Sequence, residues 1–253
     1  MKIAVQTRPW GPDMLRNCLP EVLNEVAGAG YDGIEIGAQH LDLDQPASFR
    51  GLLDSRGLAP AAIHVGGELW IPGAVDAALA NLNRAIDFTA AVGAPCVAFS
   101  GAARENKTEE ELGHVAQNLE RLGQLCQAQG LTLAYHNHWW EIQDDYRELR
   151  YIADHTDPAL VSLCLDVAWV QRGGGDPAAC AEMFAHRIAY FHLKDTTETE
   201  WRELGRGDVN LDGVLSVAQG LNLAWSVVEQ DETAGPAAES AAISREFLRR
   251  RGM

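Results

Sequence analysis

The stretch Leu131–Glu141, LTLAYHNHWWE, passes from apolar residues into two histidines, two tryptophans and a glutamate. An apolar run that stops at side chains able to bind a cation or move a proton reads as a buried strand presenting them at its C-terminal end. Three later apolar runs finish in the same way, at Asp166, His192 and Glu229. Carboxylate oxygens and imidazole nitrogens without cysteine suit Mn2+, Mg2+, Co2+ or Zn2+. These strand ends are therefore expected to meet around one divalent metal.

Glu35, His64, Ser100, His136, His138, Glu141, Lys194 and Asp231 also fall at or just beyond strand ends. Any one of them can as easily cap a helix or join an ion pair at a rim. That plain explanation suits Glu35, Asp195 and Asp231. It suits Asp166 and His192 poorly, because they follow or lie within very apolar runs. Lys194 is two residues past His192, so both point to one side of an extended strand. An ammonium there can polarise a carbonyl, hold an oxygen or receive a proton. A Schiff base is the other option, less necessary beside a metal. Trp139, Trp140, Trp169 and Trp201 lie near strand ends or the loops beyond. They suit an aromatic wall against a sugar face, or equally plain rim packing. His40, His114, His155 and His186 fall on helices or loops and read as packing or surface residues.

Eight apolar runs read as strands: Lys2–Gln6, Gly33–Ile36, Ala59–Val65, Pro95–Ser100, Leu131–His136, Val161–Leu165, Ile188–Leu193 and Ala224–Val228. Helical spacing lies between them, over Asp13–Gly30, Pro46–Arg56, Ala74–Val92, Glu109–Gly130, Asp144–His155, a segment opened by Asp176-Pro177, Leu211–Gln219 and Glu239–Arg250. Strict alternation implies parallel strands with helices outside. Eight such units in 253 residues are the size of a (β/α)8 TIM barrel, an α/β fold expected here as one domain over residues 1–253, with its active site at the C-terminal ends of the strands. A doubly wound open sheet would want a glycine-rich phosphate turn after the first strand, where this chain has TRPWGP.

The net charge of −16 repels phosphate backbones and argues against nucleic acid as a partner. Five scattered cysteines without a CxxC pair suit a reduced intracellular chain. MKIAVQTRPW does not read as a signal peptide, and no apolar run reaches membrane-spanning length. The expected compartment is the cytoplasm, with no membrane partner.

Tyr135-His-Asn-His138 with Glu141, LDVAWV with Asp166, FHLKD with His192 and Lys194, LGRGDVNLDGVL, and VVEQD with Glu229 resemble, in that order, the sugar phosphate isomerase/epimerase group. That group belongs to the xylose-isomerase-like TIM-barrel superfamily and includes inosose dehydratases and similar keto-sugar enzymes. The resemblance implies one divalent ion, Mn2+ foremost with Co2+, Mg2+ or Zn2+ as alternatives. It makes Asp166, His192 and Glu229 metal ligands. The family's first ligand is a glutamate at the end of strand five, where this chain has Tyr135 and His136. Either Glu141 reaches back from the loop, which keeps the ligand charge, or His136 serves from its better strand position; Glu141 is narrowly preferred.

The activity implied is isomerisation, epimerisation or dehydration of a keto-sugar or inosose through an enediolate. Glu229 and His138 are the candidates for proton transfer, and Lys194 steadies a substrate oxygen. His64, Glu35 and Trp169 are candidates for substrate contact. Arg206 is the only glycine-flanked cation that could meet a phosphate. An AP-endonuclease-like metal hydrolase would want a basic groove and more histidine ligands. A non-catalytic sugar-binding barrel would not need Asp166, His192 and Glu229 together. The expected partner is a small carbohydrate or polyol, and a homodimer is a mild expectation from the resemblance.

Overall fold

The computed structural model describes residues 1–253. Its strands are β1 (Lys2–Gln6), β2 (Gly33–Gly37), β3 (Ala59–Gly67), β4 (Cys96–Gly101), β5 (Thr132–His136), β6 (Val161–Asp166), β7 (Ile188–Leu193), β8 (Asp195–Thr196), β9 (Trp201–Arg202) and β10 (Trp225–Val228). Eight of them close a parallel barrel in the order β1-β10-β7-β6-β5-β4-β3-β2. The expected TIM barrel is what forms. β8 and β9 pair as a small antiparallel hairpin beyond β7, an element the sequence did not announce.

Successive side chains on a strand face opposite ways. The outward set is bulky: Ile3, Val5, Ile34, Ile36, Ile63, Val97, Leu133 and Phe191 are buried against the surrounding helices. Each such burial contributes about 1.5–3 kcal/mol. The inward set begins small: Ala4, Ala62, Ala98, Ala134 and Cys164 line the barrel with Val227 and the single large ring of Tyr190. One pleat further along each strand the inward position is polar. Gln6, Glu35, His64, Ser100, His136, Asp166, His192 and Glu229 thus stand at one end of the barrel.

Two helices expected as continuous are broken. Asp13–Gly30 divides into Gly11–Asn17 and Leu19–Ala29 around Cys18, because Pro20 occupies the first turn of the second helix. Ala74–Val92 divides into Ala74–Ala77 and Leu79–Val92. An extra short helix, Val167–Arg172, starts directly after β6, and the Asp166 side chain caps it by accepting from the Trp169 amide.

Asp144, Asp145 and Tyr146 have φ of 51°, 57° and 62°, the left-handed region, which costs about 1–2 kcal/mol per non-glycine residue. Tyr146 is held there from outside. Its hydroxyl accepts from the Asp176 amide at 3.1 Å, and its ring packs on Gly175, where a Cβ would sit 2.7 Å from it.

Candidate functional site

One donor atom from each of His136, Asp166, His192 and Glu229 lies within 4.8 Å of the others, and all four residues are buried. Register explains the meeting: Asp166 sits opposite His192 on β7, and His136 follows Ser100 across β4 and β5. His136 Nε2 is 3.4 Å from Asp166 Oδ2 and 3.6 Å from Glu229 Oε2. It has no hydrogen-bond partner. A buried ring nitrogen facing two carboxylates either carries a proton, which burial opposes and these carboxylates favour, or faces a cation lying between them. Bonds of about 2.0–2.2 Å would separate neighbouring donors of one ion by roughly 3 Å or slightly more. The residues present therefore fit a small divalent ion.

His192 is held at both nitrogens. Its Nδ1 is 2.8 Å from Glu229 Oε2, and its Nε2 is 3.1 Å from Glu35 Oε2. Tyr190 donates to the same Glu35 oxygen at 2.7 Å. Glu35, expected to meet substrate, is wholly buried inside the barrel and reaches only its protein neighbours. A carboxylate behind a histidine fixes which nitrogen faces a metal. Burial alone would raise the Glu229 carboxyl, but Lys194 and His192 outweigh it and hold it well below the usual range.

Lys194 is fully buried. Its Nζ pairs with Asp231 and lies 3.4 Å from Asp166 Oδ2 and 3.5 Å from Glu229 Oε2. Burial would lower its pKa, but these three carboxylates raise it instead. An ammonium so held is a poor amine nucleophile, so the Schiff-base option is set aside. The Trp169 and Trp201 rings cover it at 4.9 and 4.3 Å. Arg172 stacks on Trp201 at 3.4 Å and donates to Thr196 Oγ1.

Beside the cluster opens a cleft of about 710 Å³, lined by Glu229, Asp231, His64, Gln6, Arg8 and His40 among others. That volume suits a small ligand. The only Arg or Lys of its lining, Arg8, is 3.1 Å from Asp231. Asp231 is thus the rim ion pair expected for it. Asp195 likewise plays a structural part, accepting from the amides of Thr196, Gly205, Gly207 and Val209 and so holding the GRGDVN loop.

The structure places two expected site residues elsewhere. Glu141 does not join the cluster. Its oxygens accept from Tyr135 Oη at 2.7 Å and from the His138 amide at 2.7 Å, which hold the carboxylate away from the cluster. Arg206 is exposed on the outer surface, 3.4 Å from Glu203, in a groove with Phe247 and Arg250. The loop that carries it faces inward through its backbone, not its guanidinium. Trp169 stands at the cluster's edge, 5.5 Å from the His138 ring.

Sequence reasoning overlooked Asn137. Its amide clamps the Asp166 backbone at both N and O, fixing the β5 end to the β6 end. The signal was its place between the two histidines of YHNH. Arg8 and Arg172 carried no local signal, since each acts through residues far away in the chain.

His138 stacks on Trp140 at 4.4 Å, and burial pushes its imidazole down to about 2. It is neutral and a weak base. Below about pH 6.5 the unfolded chain takes up a proton that folded His138 refuses until about pH 2. Stability attached to this group is therefore complete above pH 6.5 and falls as pH drops. Relative to His138→Phe, the native chain should lose roughly 1.4 kcal/mol per pH unit below that point. Urea unfolding of both proteins between pH 7 and 5 measures this; a pH-independent difference refutes it.

The chain matches the family model described as xylose isomerase-like TIM barrel over residues 23–251. It is 26% identical to the inosose dehydratase of Bacillus anthracis over 289 aligned positions, covering 98% of this chain and 96% of that protein. It is 28% identical to the inosose dehydratase of Mesomycoplasma hyopneumoniae strain J, over 79% of this chain and 69% of that one. Among solved structures, a sugar phosphate isomerase/epimerase from Parabacteroides distasonis superposes with a TM-score of 0.83 at 22% identity, covering 98% and 93% of the two chains. A probable 3-DHS dehydratase from Bacillus anthracis superposes with a TM-score of 0.80 at 13% identity, covering 99% and 100%. At those identities the structures speak for the fold alone. With eight parallel strands closed into a barrel and a family model matched over nearly all of its length, this chain belongs to the xylose isomerase-like TIM barrel family.

Proposed function

We propose that this protein is a divalent-metal-dependent enzyme that removes water from a keto-sugar or cyclic keto-polyol of the inosose type. The observation that carries the reading is the buried His136, Asp166, His192 and Glu229 cluster, with its unpartnered His136 nitrogen, at the edge of a sugar-sized cleft. These four residues would hold the ion, which supplies Lewis-acid stabilisation of charge developing on a ketone oxygen. The inosose dehydratases that align with almost the whole chain support dehydration over the other reactions of the family.

Glu229 is the base in this scheme. It lines the cleft, and its depressed pKa keeps it ionised at neutral pH. It takes the proton from the carbon beside the ketone, leaving an enediolate. The β-hydroxyl then departs with the proton that Glu229 has taken, leaving as water and returning Glu229 to its ionised form, and a carbon–carbon double bond forms. The neutral ring of His138 is suited to hydrogen-bonding a substrate oxygen. Lys194 balances the carboxylates from behind.

The test is solvent-deuterium exchange at the carbon beside the ketone, and water loss, on a panel of inososes and keto-sugars with Mn2+, Co2+ and Mg2+. Exchange with elimination is expected on at least one cyclic keto-polyol. No exchange on any, with metal bound, would sink the proposal. The ligand assignment has its own check by metal analysis after dialysis. Glu141→Gln is expected to keep one equivalent of metal, and His136→Ala to lose it; the opposite pattern returns the role to Glu141.

A further inference from the structure

We infer that Ser100 and His64 are positioning residues for His136, forming a hydrogen-bonded relay that lets its Nε2 face a cation. The inference rests on the reading of the cluster as a metal site. An imidazole ligand, unlike a carboxylate, has a second ring nitrogen that must be satisfied. For His136 that nitrogen, Nδ1, lies 3.3 Å from Ser100 Oγ. The same hydroxyl lies 2.7 Å from His64 Nε2. His64 Nδ1 in turn faces Gln6 Nε2 at 3.5 Å and Glu35 Oε1 at 3.8 Å.

The hydroxyl has one proton, so it donates to one ring and accepts from the other. With a cation on His136 Nε2, the His136 proton sits on Nδ1 and goes to Ser100. Ser100 then donates to His64 Nε2, and the His64 proton sits on Nδ1. There it faces Glu35 Oε1, which is buried and has no other partner. The opposite arrangement starts from Gln6 Nε2, whose amide is oriented by the Arg8 N–H on Gln6 Oε1 at 2.6 Å. It runs inward and places a proton on His136 Nε2. Cation binding thus selects one of two proton arrangements along Gln6, His64, Ser100 and His136, with the far end lying 3.8 Å from the otherwise unpartnered Glu35 oxygen.

The test is cobalt affinity of the full chain by chelator competition, with the visible absorption of bound Co2+ as a second readout. Ser100→Ala is expected to weaken Co2+ binding roughly 10- to 100-fold, the usual consequence of removing a partner behind a metal-bound histidine. Ser100→Thr, which keeps the hydroxyl, should stay within a few-fold of the native chain, and His64→Phe should weaken binding in the same sense as Ser100→Ala. In the His136→Glu background, where no far nitrogen exists, Ser100→Ala should cost nothing. Native-like affinity and spectrum in Ser100→Ala overturn the inference while leaving the metal site standing. An equal loss in the His136→Glu background also overturns it, since Ser100 is then merely structural. If His136→Glu does not fold, the contrast between Ser100→Ala and Ser100→Thr decides alone. A native chain that binds no divalent cation overturns the inference and the proposed function together.

Discussion

Glu229→Gln is expected to lower kcat by roughly 10⁴-fold on the keto-polyol substrate, about 5.5 kcal/mol of barrel-site chemistry. The substitution keeps the side chain's shape and removes its charge. Three things depend on that charge. It is the base of the proposed reaction, one of four donors in the cluster, and a partner of both His192 and Lys194. Lys194 retains Asp166 and Asp231, so the fold should survive. Steady-state kinetics at saturating metal, with circular dichroism to confirm folding, makes the measurement. A folded variant keeping a tenth of native activity would remove Glu229 from the chemistry.

Lys194→Met is expected to destabilise the metal-free protein by about 3–5 kcal/mol, the usual cost of removing one partner from a buried charge cluster. The methionine fills similar volume beneath Trp169 and Trp201, so packing is not the source of the loss. The source is electrostatic: Asp166, Glu229 and Asp231 would face one another without their shared ammonium. A divalent cation at the cluster would restore part of the balance. The gap between native and variant in urea unfolding should therefore narrow when Mn2+ or Co2+ replaces the chelator. A variant as stable as the native chain in chelator would show that Lys194 does not balance these carboxylates.

The two substitutions separate the roles that adjacency on one inner face tends to blur. Glu229 opens to the cleft and touches the cluster, whereas Lys194 is sealed by rings and acts on the cluster's charge. A neutral residue at 229 removes chemistry from a stable barrel. A neutral residue at 194 leaves the chemistry in place on a weakened one.

The sequence by itself determined the barrel and the identity of most residues in its mouth. Both are local patterns: eight apolar runs between helical segments, and polar side chains one pleat beyond small ones. Asp166, His192 and Glu229 were legible because each ends an apolar run at a fixed phase of a two-residue period. Tertiary structure alone decided which of them touch and through which atoms. Glu35 and Tyr190 meet across the barrel interior although 155 residues separate them, so no local pattern could show that Glu35 supports His192. Glu141 lies apart from the cluster because its carboxylate accepts from Tyr135 Oη and the His138 amide, a choice of partners that its place in the sequence does not decide. Arg206 stands on the outer surface beside Glu203 while the backbone amides of its loop bind Asp195, a division that the GRGD motif alone does not show. At the end of β5, strand phase points His136 into the barrel, and barrel closure brings Asp166 and Glu229 to within 3.4 and 3.6 Å of its Nε2.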